Sequence, residues 1–165
     1  MKQYRFAGDQ RRMPAPGFRL MSGGGQAVAL TDYRDRANLI LFFPNGTENE
    51  ALKQTLRHFQ ARRNDYAAHA ARVVAVVDAP AQEVADLDQE LEASSLTLLA
   101  DPEGATRQEY AALLPDEPGT EAALFFVLDR FGAPHVAFAS SEPQNSELHD
   151  NLIDWLFGIE LECPE

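Results

Sequence analysis

One cysteine stands in the 165-residue chain, Cys163, in the segment "GIELECPE". A single cysteine forms no internal disulfide, no CxxC redox pair and no thiolate zinc site. As a redox candidate Cys163 is poorly placed, because Glu160, Glu162 and Glu165 surround it. Negative neighbours raise a thiol's pKa and lower the fraction present as the nucleophilic thiolate. The second place where chemistry is conceivable is the stretch "FFPNGTENEALK", Phe42 to Lys53. There an apolar run stops at Pro44, and Thr47 and Glu50 follow in a "TENE" pattern that fits the capping box S/T-x-x-E. As a catalytic acid Glu50 lacks an evident second carboxylate or histidine. The four histidines, His58, His69, His135 and His149, show no HxxxH or HExxH spacing. All are expected on surfaces or helix faces. "SGGG" lacks the lysine and strand–glycine–helix setting of a phosphate loop and suits a hairpin turn.

The elements that position these residues follow from the hydrophobic pattern. "FRL" and "QAVAL" flank the glycine turn and predict a strand pair. "NLILFF" and "RVVAVVD" are continuous apolar runs, the mark of strands buried on both faces. Between them, Leu52, Leu56 and Phe59 recur at helical spacing, which predicts a helix from Thr47 to about Arg63. A second helix is expected after Asp78, with Asp78 as its N-cap and Val84, Leu87 and Leu91 facing inward. "LTLLADPEG" predicts strand and turn, and "ATRQEYAALL" a short helix. "EAALFFVLDRFGAPHVAFA" predicts a hairpin about "DRFG", and a last helix is expected from about Pro143 to Phe157, ended by Gly158. The polar first 17 residues are expected to be irregular. This order implies one α/β domain over residues 1–165, a mixed sheet flanked by helices, with a tail from residue 158.

Composition excludes several functions. A formal charge of −12 disfavours nucleic acid and anionic membrane surfaces, which require clustered Lys and Arg. No apolar run approaches the roughly 20 residues that cross a bilayer, and the N-terminus has no signal-like apolar stretch. A cytoplasmic location is therefore expected. The excess of Arg over Lys and the abundance of Ala suit a GC-rich bacterial genome.

Taken together, "APGFRL", "GQAVALTDYRDRANLILFFP", "VVAVVD", "LLADPEG" and "LFFVLDRFG" resemble, in order, the peroxiredoxin family, that is, the alkyl hydroperoxide reductase and thiol-specific antioxidant group. The resemblance runs from about Gly8 to Leu156. It implies a thioredoxin-like fold with an N-terminal β-hairpin extension. The family's chemistry sits in P-x-x-x-T-x-x-C with an arginine from a later strand. A helix N-terminus and that arginine together favour the thiolate. Here Pro44 and Thr47 are one residue too close. Alignment on Thr47 puts Glu50 at the cysteine position, and alignment on Pro44 puts Ala51 there. Read back from Asp129, the arginine position holds Ala123; the nearest arginines in sequence, Arg107 and Arg130, do not inherit that role.

The expectation is a non-catalytic binding or interaction module with a degenerate site at Pro44, Thr47, Glu50 and Ala123, and no cofactor or metal. The alternative is a thiol-dependent antioxidant using Cys163, alone or between chains. Carboxylate-based hydrolysis at Glu50 is a weaker third reading. The resemblance further implies a homodimer; the protein or small-molecule partner is unnamed by the sequence.

Overall fold

The computed structural model describes residues 1–11, 13–45, 49–92, 95–116, 118–119 and 122–162. Its centre is an eight-stranded mixed sheet in the order β1-β8-β7-β4-β5-β6-β2-β3. The strands are β1 (Lys2–Arg5), β2 (Arg19–Ser22), β3 (Ala27–Ala29), β4 (Asn38–Phe43), β5 (Ala71–Val77), β6 (Leu96–Ala100), β7 (Ala123–Leu128) and β8 (Pro134–Ser140). β4, β5 and β6 are parallel, and every other pairing is antiparallel. The helices are α1 (Asn49–Ala61), α2 (Arg63–Ala68), α3 (Ala81–Leu91), α4 (Ala105–Ala111) and α5 (Ser146–Glu162). This is the expected thioredoxin-like arrangement, with the β2–β3 hairpin joined to the sheet through β6.

Every residue of β4, β7 and β8 is buried, so each strand serves two cores. Side chains alternate across a sheet. Ile40, Phe42, Val73, Ala75, Phe125 and Phe138 face one way, where α1, α3 and α5 pack through Leu52, Leu56, Phe59, Val84, Leu148, Leu152 and Leu156. Leu39, Leu41, Phe43, Val74, Val76 and Phe126 face the other, covered by Tyr4, Phe6, Phe18, Tyr110 and Leu114. Each such apolar side chain taken from water contributes roughly 1.5–3 kcal/mol before entropy is set against it.

The structure corrects the sequence at several places. Lys2–Arg5 is an edge strand on β8 rather than irregular chain, because Tyr4 alone of its residues turns inward. Four residues with one buried position are too short for alternation to register. The helix after β4 divides, with Arg62 outside helical geometry and its N–H shared between the His58 and Phe59 carbonyls. Thr47 lies outside the described residues, so the capping box is not described; Glu50 is exposed in the first turn of α1. Pro80, not Asp78, is the N-cap position of α3. Gly158 does not end the last helix: α5 continues to Glu162, so the expected tail is helical that far. Ile159 extends the inward row of Leu148, Leu152 and Leu156, and that burial outweighs the roughly 1 kcal/mol penalty of an internal glycine. Among the described residues no helix is long and apolar enough to cross a membrane.

Two histidines expected on surfaces or helix faces are buried. His135 lies in β8, and His149 is fully enclosed where α5 meets α1 and α2. His149 Nε2 donates to the Pro143 carbonyl at 3.1 Å, which fixes Nδ1 as acceptor from the Tyr66 hydroxyl at 3.0 Å. Its ring lies 4.2 Å from that of His58 and edge-on to Phe59 at 4.5 Å. Arg62 is close by, held by Asp150 at 2.6 Å and Asp65 at 3.3 Å. Burial first, then the neighbouring His58, pushes His149 down to about 4.

A folded-state pKa below the unfolded value means that the unfolded chain binds the extra proton. The stability contributed by neutral His149 is complete above the unfolded pKa near 6.5 and is lost as pH falls toward about 4. The loss amounts to about 3 kcal/mol. Urea unfolding between pH 7 and pH 4 should show this decline, and His149→Gln should remove most of it. Equal slopes for the two proteins would contradict the assignment.

Candidate functional site

The C-terminal ends of β4, β5 and β6 and the start of β7 form one pole of the sheet, the place where open α/β sheets hold ligands. Pro44 is buried there, directly after β4. Phe43 pairs with Leu124, which sets Ala123 alongside Pro44 in the neighbouring strand. Ala123 is wholly buried. Glu50 and Ala51 are both exposed in the first turn of α1. Thr47, between these groups in sequence, is outside the described residues. The structure thus gathers Pro44, Ala123 and the start of α1 at one pole.

The group that completes this pole comes from α4. Arg107 Nη1 donates to the carbonyls of Phe43 at 3.2 Å and Pro44 at 3.3 Å, and Nη2 donates to the Ala122 carbonyl at 2.6 Å. One guanidinium therefore ties the end of β4 to the approach of β7. Burial lowers the Arg107 pKa, and Asp78 partly offsets this. An arginine starts so high that it stays cationic at neutral pH.

Local structure explains how Arg107 arrives there. Asp101, at the end of β6, accepts from the Thr106 N–H at 3.0 Å and so starts α4. Gly104 takes a left-handed φ of 66°, and a Cβ at that position would come within 3.3 Å of the Asp78 carboxylate. One helical turn beyond Arg107, Tyr110 packs its ring on Phe43 at 5.3 Å and Phe126 at 5.1 Å. Its hydroxyl donates to the Pro16 carbonyl at 2.7 Å. α4 is thereby fixed in position over the strand ends.

No motif in the sequence marks Arg107 for this contact. The other nearby arginine, Arg130, sits beyond the opposite end of β7, with its guanidinium 5.2 Å from the Phe131 ring. Cys163 is outside the described residues. The residue before it, Glu162, is tied to Arg11 at 2.6 Å, and Arg11 bonds His135 at 3.0 Å. His135 in turn holds Asp129, which follows β7, at 2.9 Å. This chain of contacts lies at the pole opposite Pro44, about 20 Å away along a six-residue strand.

Acid–base chemistry finds little support at the Pro44 pole. The Asp101 carboxylate is engaged in starting α4, and among the described residues no hydrogen bond or ion pair joins Glu50 to a second acid. No group of three or more His, Cys, Asp and Glu among the described residues is arranged to hold a metal ion.

The model of the AhpC/TSA family matches residues 12–132. No curated protein sequence matches the chain. Among solved structures, the peroxidoxin BcpB from Mycobacterium tuberculosis is similar with a TM-score of 0.75 at 18% identity, over 89% of this chain and 96% of that one. Peroxiredoxin Q from Xanthomonas campestris gives 0.70 at 13% identity, over 86% and 90%. A putative thiol:disulfide interchange protein DsbE from Chlorobium tepidum gives 0.63 at 24% identity, over 87% and 95%. At these identities the likeness is one of fold.

Removing the Arg107 guanidinium takes a donor from three backbone carbonyls. Arg107→Met is expected to lower unfolding free energy by roughly 2–3 kcal/mol, whereas Arg57→Met on the exposed face of α1 should change it by less than about 0.5 kcal/mol. Denaturant unfolding of the two variants reads the difference. Equal effects would show that the three contacts contribute nothing net.

Proposed function

The chain belongs to the AhpC/TSA family, and we propose from that premise that it is a non-catalytic member: a thioredoxin-fold binding or interaction module whose peroxidase site has been lost. The observation that carries this reading is the absence of any cysteine before residue 163. A thiol peroxidase needs a thiolate at the helix start, held by positive charge. Here the first turn of α1 presents Glu50 and Ala51, and the flanking strand position holds Ala123. Arg107 does bring a positive charge to the same pole, but the carbonyls of Phe43, Pro44 and Ala122 engage its two terminal nitrogens. Its placement serves the backbone rather than an incoming peroxide.

Such a module works through its surface and calls on no cofactor. Family resemblance favours a homodimer. The two sheet edges are a charged four-residue strand and a three-residue strand, forms that resist edge-to-edge pairing. Two copies would therefore meet through loops or helices. The alternative, a thiol-dependent antioxidant, rests on Cys163 alone. Within one chain it is disfavoured by the Arg11–Glu162 contact, which anchors the adjoining residue at the far pole.

Peroxide consumption by the reduced protein with excess dithiol reductant separates the readings. The expected rate equals that of reductant alone, and Cys163→Ser leaves it unchanged. Turnover that disappears in Cys163→Ser would overturn the non-catalytic reading.

A further inference from the structure

On the α1 side of the Pro44 pole, a groove of about 330 Å³ opens between α1 and α3. That volume falls at the lower end of the range for ligand sites. Its floor is Leu52, Val77, Ala79 and Val84, all buried, with half-buried Leu87 beside them. Glu83, Asp86 and Glu90, all exposed, form the α3 wall. Among the described residues no Lys or Arg pairs with Glu83 or Asp86.

The chain already demonstrates what this groove accommodates. Lys53 crosses it from α1, with its side chain only 13% exposed and its ammonium 2.9 Å from the Glu90 carboxylate. An aliphatic stem rests against apolar walls while its cation meets an acid, the usual behaviour of an amphipathic side chain. Glu83 and Asp86 add two carboxylates that no lysine or arginine engages among the described residues; Asp86 accepts from Gln82 Nε2 at 3.0 Å. The net charge of −12 favours the approach of cations and repels acidic partners.

We propose that this groove docks a basic peptide segment in which lysine or arginine side chains flank an apolar one. The proposal rests on the reading of the protein as a binding module and names its class of partner. The cations meet Glu83 and Asp86, and the apolar residue lies against Leu87 and the floor. A polyamine supplies the charges but nothing for the floor, so a peptide is the better fit.

A fluorescein-labelled heptapeptide of alternating Lys and Leu, titrated by anisotropy near physiological salt, tests this. A Glu and Leu heptapeptide is the comparison. Only the basic peptide is expected to bind. Glu83→Gln/Asp86→Asn should weaken it about tenfold or more, the effect of losing close charge pairs. Lys53→Met releases Glu90 and should tighten binding several-fold. Charge-matched changes elsewhere, Glu109→Gln/Asp154→Asn and Lys2→Met, should each shift it less than about twofold, as expected of distant screened charges. Equal shifts in these controls, or displacement by spermine at matched charge concentration, would reduce the effect to general attraction and overturn the proposal. Absence of binding would overturn it as well. Peroxide turnover measured on the same preparations reports separately on the functional reading, so either can fail alone.

Discussion

The Pro44 pole depends on one contact set: the guanidinium of Arg107 against the carbonyls of Phe43, Pro44 and Ala122. Phe43 is the last residue of β4 paired with β7, and Pro44 and Ala122 lie just beyond the paired stretch. A buried carbonyl without a donor is costly. Arginine's planar fork supplies several donors at fixed geometry, which a lysine does not. The same charge beside a thiolate would be an activating group. Beside three carbonyls it is a fastening.

The fastening works because the sheet beneath it is rigid on both faces. Phe42 stacks on Phe125 at 4.7 Å on the α1 side, while Phe43 meets Tyr110 and Phe126 on the α4 side. Alternation along β4 thus sends consecutive residues into separate cores. It also divides the end of β5: Val77 and Ala79 floor the groove beside α1, whereas Asp78 turns toward Gly104 and Arg107. The pole thus has one acidic, partly apolar side and one cationic side whose guanidinium is bonded to three backbone carbonyls.

Much of this was legible in the sequence, for identifiable reasons. β4 and β5 are uninterrupted apolar runs, and Leu52, Leu56 and Phe59 keep helical period, so local pattern and tertiary burial agree. The missing sulfur required only counting. What escaped was decided at long range. β1 exists because β8 offers an edge, α5 passes Gly158 because Ile159 has a core to enter, and His149 is buried because α1, α2 and α5 converge on it. Arg107 reads as an ordinary helix residue between Thr106 and Gln108. Its partners lie 64, 63 and 15 residues away, and no spacing rule connects them.

The claim on which the rest turns is that this chain contains no activated thiol. The direct measurement is the second-order rate of hydrogen peroxide with Cys163, followed by intact mass as the sulfenic acid forms and set beside free cysteine at equal pH. With Glu160, Glu162 and Glu165 as its neighbours in sequence, Cys163 gains no thiolate from its local charge, and the two rates should agree within about threefold. A Cys163 reacting about a hundredfold faster than free cysteine would contradict the account.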